Sequence, residues 1–251
     1  MLYYNIHPDI VGFTTDRMIG RDKLLLYKEL LRNGGLQKPL NEDNFCYPHQ
    51  THTDRVMQVS SEFFLLPDAV RKALLEGVDA IVSQAKNAVI GISTADCIPV
   101  LVYDPVHSAA AAIHAGWRGT VRRIVEKSID EMHIAYGTNP ADCVAVIGPG
   151  ISLESFEVGD EVYAAFVEER LLPNASYGEE QDENLARMEA KWHINLKEIN
   201  KRQLIRAGLK AENITVSDID TFTNPNYFSA RREQKNTTEK CGRMLTGFVI
   251  K

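Results

Sequence analysis

Two apolar runs, IPVLVYD and AAAAIHA, flank a short polar turn at Pro105 and read as neighbouring strands. A turn of a few residues cannot carry the crossover that parallel neighbours need, so the pair is expected to be antiparallel. A loop over 104–107 pairs Tyr103 with Ser108, and counting outward sets Cys97 directly opposite His114. Opposed residues share a face with Cβ atoms about 5 Å apart. That suits two ligands on one ion, or a thiol and its base. The inference depends on register, because a one-residue slip sends the two side chains to opposite faces.

The same patterning lays out the rest of the chain. RDKLLLYKELLRNGG predicts a helix with a Gly-Gly stop, and PDAVRKALLEG a short helix opened by Pro67. In GTVRRIVEKSIDEM, Val121, Ile124, Val125, Ile129 and Met132 recur at helical spacing, which predicts a helix over 120–132. GDEVYAAFVEERL and INLKEINKRQLIRAGL read as two more helices, the latter stopped by Gly208. Strands are expected in HQTHTDRVMQVS, VDAIVSQ, AVIGIST, CVAVIGPGI, NITVSDIDTF and MLTGFVI. The polar, acidic PNASYGEEQDENLARMEAK reads as an exposed, mobile loop. No repeat, low-complexity tract or Pro/Ser-rich linker divides the chain. The reading is a single α+β domain over residues 1–251.

Composition narrows the function classes. The chain is 44% hydrophobic and 25% charged, which is ordinary for a globular protein. Its net charge of −6 disfavours nucleic acid as a partner, though a local arginine cluster still suits a small anion. The start of the chain lacks a secretory pattern and no apolar run approaches a membrane span. A cytoplasmic protein with no membrane partner is therefore expected. Cys46, Cys97, Cys143 and Cys241 are then expected as free thiols.

Candidate chemistry gathers around the hairpin. GWRGT follows His114, and Gly116 and Gly119 flank Arg118 before a predicted helix. That arrangement is a plausible anion site. Arg122 and Arg123 read better as a solvated helix face. A metal needs a third ligand, and PHQTHTDR offers His49 or His52; spacing does not choose between them. One thiolate and two imidazoles suit Zn or Cu and leave a coordination position open. Cys46 and Cys143 read as core thiols.

These segments together resemble the peptidoglycan-editing-factor and laccase-domain family, named for multicopper polyphenol oxidases and since recognised as purine nucleoside phosphorylases. The carrying motifs are QTH at 50–52, TADCIPV at 94–100, HAGWRG at 114–119, IGPGI at 147–151, FEV at 156–158 and YFSARR at 227–232. The resemblance spans about residues 50–250 and implies metal ligands at His52, Cys97 and His114. It implies an α/β/β/α layered fold in a cytoplasmic enzyme. The activities implied are phosphorolysis of adenosine, inosine and methylthioadenosine, and deamination of adenosine. Thr53, Gly150 and Phe222 depart from the family pattern, and little of its usual Gly-rich N-terminal segment is kept.

The leading expectation is a zinc enzyme, with copper as the other possible metal, acting on purine nucleosides and phosphate. Arg118 is the expected phosphate ligand. Asp96, beside Cys97, is the candidate for moving protons during deamination. As neighbours along a strand the two would face opposite sides, so a structural role for Asp96 is equally open. Arg231 and Arg232 are candidates for binding substrate or capping the site. The rival readings are a metal-free hydrolase with Cys97 as nucleophile and His114 as base, a copper-dependent phenol oxidase, and a non-enzymatic cell-wall editing factor.

Overall fold

The chain folds into layered sheets that meet at the end of the hairpin. The computed structural model describes residues 1–33, 44–172, 185–188, 191–236 and 242–251. One sheet has the order β1 (Leu2–His7), β2 (Ile10–Thr14), β14 (Met244–Ile250), β6 (Val89–Thr94) and β3 (Phe45–Cys46). A second has the order β13 (Ile214–Val216), β9 (Val144–Ile147), β7 (Ile98–Asp104), β8 (Ala109–Ala115), β5 (Ala80–Ser83) and β4 (Val56–Val59). A small third sheet joins β10 (Glu157–Val158), β12 (Lys191–Ile194) and β11 (Leu185–Met188). The helices are α1 (Lys23–Asn33), α2 (Asp68–Leu74), α3 (Trp117–Val121), α4 (Ile124–Tyr136), α5 (Asp160–Glu168), α6 (Leu196–Arg206) and α7 (Ala230–Lys235).

Strand alternation sorts the side chains into layers. Ile90, Ile92, Phe248 and Ile250 of the first sheet pack against Leu101, Tyr103, Ala110 and Ala112 of the second. Phe13, Val89 and Val249 turn the other way, onto Leu26 and Leu30 of α1. Val100, Val102, Ala111 and Ile113 face Ile124, Val125, Ile129 and Met132 of α4, with Ile199 and Leu204 of α6. The result is the α/β/β/α arrangement that the resemblance implied. Alanine is a poor strand former, so β8 is held by its place between β7 and β5, where every residue is buried.

The hairpin is antiparallel as expected, but its register differs. The ladder pairs Tyr103 with Ala110 and Pro99 with His114, so the turn is 105–108 and Cys97 lies beyond the last pair. The shift is two residues. Because the side-chain period is also two, Cys97 and His114 keep a common face.

Three other expectations are corrected. Only Val56–Val59 of HQTHTDRVMQVS is a strand. Residues 51–53 instead give their amides to a buried carboxylate, described below. The helix expected over 120–132 is two helices, α3 starting at Trp117 and α4 at Ile124, broken by Arg123 at φ 61. The Thr120 carbonyl at the break accepts from the Arg123 amide and from Gln203 of α6. Of the segment read as an exposed loop, Leu185–Met188 forms β11; residues 173–184 and 189–190 lie outside the described residues, as does Cys241. Among the described residues, no helix is long and apolar enough to cross a membrane.

In the first sheet Gly91 of β6 stands opposite Gly247 of β14. A Cβ on Gly247 would sit 2.3 Å from the Ile90 carbonyl oxygen and 2.9 Å from the Gly91 Cα. Both obstacles are backbone, so the strands themselves must part. Gly247→Ala is expected to destabilise the protein by about 1–3 kcal/mol. For a chain of this size that lowers Tm by several degrees, at roughly 2–4 °C per kcal/mol. Thermal unfolding measures the drop, and an unchanged Tm would show that the strand pair tolerates the methyl group.

Candidate metal centre

The centre is built around Asp79, which immediately precedes β5 and is fully buried. Continuing the β5–β8 register, Ala80 opposite Ile113, places Asp79 beside His114. The Asp79 Oδ1 accepts from His114 Nδ1 at 2.7 Å and from the His52 amide at 3.1 Å. Its Oδ2 accepts from the Thr51 amide, the Thr53 amide and the Thr53 hydroxyl. One carboxylate therefore fixes the His114 ring and folds the 51–53 loop that presents His52. With Nδ1 bonded to a carboxylate, His114 turns Nε2 to the centre. Thr53, one of the departures from the family pattern, here supplies two of the bonds on Asp79.

His52, Cys97 and His114 each offer one donor atom, and the three atoms lie within 4.8 Å of one another. His52 Nε2 is 3.8 Å from Cys97 Sγ. Ligands on a tetrahedral zinc, with Zn–N about 2.0 Å and Zn–S about 2.3 Å, stand about 3.3–3.6 Å apart. The donor set and its spacing thus fit a three-coordinate protein site for zinc or copper after a small contraction. Among the described residues this is the one such cluster. His49, the alternative read from spacing, points its Nδ1 to Glu76 at 2.8 Å instead.

The backbone here is specialised. His52 (φ 61) and Asp96 (φ 85) are both left-handed non-glycine residues, a conformation that persists only where surrounding bonds impose it. Gly116 closes the centre from behind. A Cβ there would meet Cys97 Sγ at 3.0 Å and His52 Cδ2 at 3.2 Å.

Electrostatics agree with a ligand set. Burial alone would raise the Cys97 thiol, but His114 and then His52 outweigh it and pull the thiol well below its ordinary value. Burial likewise opposes charge on His114, yet the Cys97 thiolate and the Asp79 carboxylate lift the imidazole above its ordinary value. Asp79 is pushed up by burial and held down more strongly by His114 and the Thr53 amide, so it stays ionised.

The centre opens on a cavity of ≈ 710 Å³ whose walls include Trp117, Phe156, Ile151, Arg21, Arg231 and Arg243. The sequence candidates divide here. Arg231 lines the cavity, with both terminal nitrogens on the Glu157 carbonyl. Arg232 does not; it donates to the carbonyls of Thr221, Phe222 and Tyr227 and so ties down that loop. Arg118 also stays outside the lining. It is exposed, with its guanidinium 4.2 Å from the Trp117 ring, on a helix that begins at Trp117, three residues before the expected start at 120. Asp96 lines the cavity, but its oxygens accept from Thr221 Oγ1, Ser229 Oγ and the Arg231 amide. Asp79, Arg21 and Arg243 were not singled out in the sequence. The signal for Asp79 was an acid inside the apolar run VDAIV, since a buried acid is rare unless paired.

A layered α+β fold carrying a three-ligand centre with one side open to a cavity defines a class of enzyme site, since structural zinc sites are closed by a fourth protein ligand. A family described as multi-copper polyphenol oxidoreductase laccase matches residues 31–251. The chain is 38% identical to a purine nucleoside phosphorylase of Bacteroides thetaiotaomicron, over 91% of this chain and 80% of the relative. It is 36% identical to adenosine deaminase RL5 from an unknown prokaryotic organism, over 86% of this chain and 79% of the relative. Its fold superposes on the Bacillus licheniformis protein YfiH with a TM-score of 0.76 at 25% identity, covering 99% of both chains. The chain belongs to this multi-copper polyphenol oxidoreductase laccase family of enzymes.

Two outcomes follow from the geometry. Asp79→Asn keeps the shape but removes the charge that holds the His114 ring and the His52 amide, and is expected to weaken zinc binding about 10–100-fold in chelator competition. Zinc affinity should also rise with pH across the neutral range. The thiol is already ionised there, whereas the raised His114 imidazole must give up a proton to bind. A zinc affinity independent of pH between about 6 and 9 would show that His114 enters the centre already neutral.

Proposed function

We propose that this protein is a zinc-dependent purine nucleoside phosphorylase that also deaminates adenosine. The observation that carries the reading is the His52/Cys97/His114 centre opening on a cavity with both aromatic and cationic walls. Relatives named for each of the two activities support it. Zinc bound there supplies a Lewis acid beside the substrate.

The chain's own residues supply the rest. Trp117 and Phe156 offer apolar surface for a purine, and Arg231, Arg243 and Arg21 offer charge for phosphate. Phosphorolysis builds positive charge on the ribose carbon and negative charge on the leaving base. Holding phosphate and nucleoside in line lowers that barrier by positioning. Asp96 serves as a positioning residue: through Ser229 and the Arg231 amide it sets the first turn of α7, from which Arg231 reaches the cavity.

The thiol-nucleophile reading has one observation in its favour, the lowered Cys97 thiol beside His114. The two readings separate on one experiment. Zinc-loaded and zinc-stripped protein is incubated with a nucleoside panel, with and without phosphate, and scored for free base, sugar phosphate and ammonia. We expect phosphate-dependent base release and ammonia from adenosine only in the zinc-loaded form. Turnover that survives stripping would favour Cys97 as nucleophile. Cys97→Ser should lose zinc and both activities together, because a neutral hydroxyl replaces a soft thiolate.

The arginines make a further contrast. Arg243→Ala is expected to lower kcat/KM for phosphorolysis about tenfold or more while leaving deamination nearly unchanged, since only phosphorolysis must hold an anion. Arg118→Ala should change neither by more than about twofold, as an exposed side chain away from the cavity. A selective loss of phosphorolysis in Arg118→Ala would return the phosphate site to the start of α3.

A further inference from the structure

A second cavity, of ≈ 460 Å³, adjoins the first and shares Arg21, Pro48 and His49 with it. Its other walls carry Lys23, Arg71 and Lys72, and the aromatic rings of Phe45, Tyr47 and Phe63. The two carboxylates in this wall are already engaged. Asp68 holds Lys72 at 2.7 Å and Arg71 at 3.6 Å, and Glu76 holds His49. Lys23 is fixed over the rings of Phe45 and Tyr47, at 5.7 and 5.6 Å. Among the described residues no carboxylate lies within salt-bridge distance of Arg21 or Lys23. Among the described residues of this wall, four cations against two acids make a basic patch on a chain of net charge −6. The Asp68 carboxyl registers that field: the Lys72 hydrogen bond, and then the charges of Lys72, Arg71 and Lys23, hold it below its ordinary value.

Arg21 stands where the cavities meet, so a ligand with its nucleoside in the metal cavity can pass an anionic tail across that guanidinium. We infer that the second cavity is a subsite for the polyphosphate tail of a purine nucleoside 5′-diphosphate or triphosphate. The inference rests on the nucleoside reading of the metal cavity. One phosphoryl group would be served by Arg21 alone; Lys23, Arg71 and Lys72 extend the positive wall for a longer tail. Charge-assisted contacts of this kind contribute roughly tenfold each in affinity.

The test measures calorimetric binding of adenosine, adenosine 5′-diphosphate and inorganic tripolyphosphate to zinc-loaded protein, alongside adenosine turnover. The variants are Lys23→Gln/Lys72→Gln and, separately, Lys72→Glu; both lysines lie on the surface, outside the metal cavity. In the wild type the diphosphate should bind at least tenfold more tightly than adenosine. Both variants should lose most of that advantage and bind tripolyphosphate more weakly, with adenosine turnover unchanged. A diphosphate no tighter than adenosine, or variants that bind it as the wild type does, overturns the subsite. Tripolyphosphate binding that ignores both variants does the same. If adenosine neither binds nor turns over while tripolyphosphate binding still depends on the two lysines, the nucleoside reading fails and the anion subsite stands.

Discussion

The site depends on one buried carboxylate. Asp79 sits where an interior strand meets the 51–53 loop, and it is fully buried. An ionised acid without partners there would cost several kcal/mol. It is instead met by the amides of Thr51, His52 and Thr53, the Thr53 hydroxyl and the His114 ring. Those bonds offset desolvation and, in doing so, dictate geometry. The loop must turn through a left-handed His52 to deliver its amides, and the His114 ring must present Nε2 away from the acid. The two imidazoles are thus placed by a residue that lies behind the centre.

Cys97 arrives by a separate route. It follows a left-handed Asp96 whose own carboxylate is held by Thr221, Ser229 and the Arg231 amide, far along the chain. Two acids, Asp79 and Asp96, thereby set the two sides of the centre. Gly116 fills the remaining gap with bare backbone because a side chain would strike Cys97 and His52. Left-handed backbone at non-glycine positions and a glycine pressed against a thiol each cost stability. They persist here because the packed β7–β8 hairpin fixes what surrounds them.

Much of this was legible in the sequence, and for identifiable reasons. Patterning found both hairpin strands, and the pairing argument survived a register error because the error was even. It would have failed at an odd shift. The choice of His52 over His49 came only from the resemblance, and the structure shows why spacing was silent: both histidines lie in a loop, where no period applies. Asp79 was overlooked because one acid in an apolar run looks like a strand end until its partners are known. The break at Arg123 was invisible for a similar reason. The apolar positions of α3 and α4 keep a helical spacing through it, and the left-handed residue that re-aims α4 is an arginine rather than a glycine. Arg118 lies exposed on α3, which already starts at Trp117. Arg21 and Arg243 reach the cavity from opposite ends of the chain, and proximity of that kind leaves no mark in any local pattern.

The family's oxidase description sits uneasily with this centre. Multicopper oxidation needs several coupled metal sites, and the described residues hold one His/Cys/His cluster. What the cluster has instead is one set of donors whose charges favour one another. The Cys97 thiol is lowered chiefly by His114, and the His114 imidazole is raised by Cys97 and Asp79. Asp79 lies behind the donors and holds the His114 ring and the His52 amide in place. Binding a divalent cation then exchanges one proton on the imidazole for the metal and leaves the thiolate in place. The bonds to Asp79 thus preorganise the two histidines for an ion.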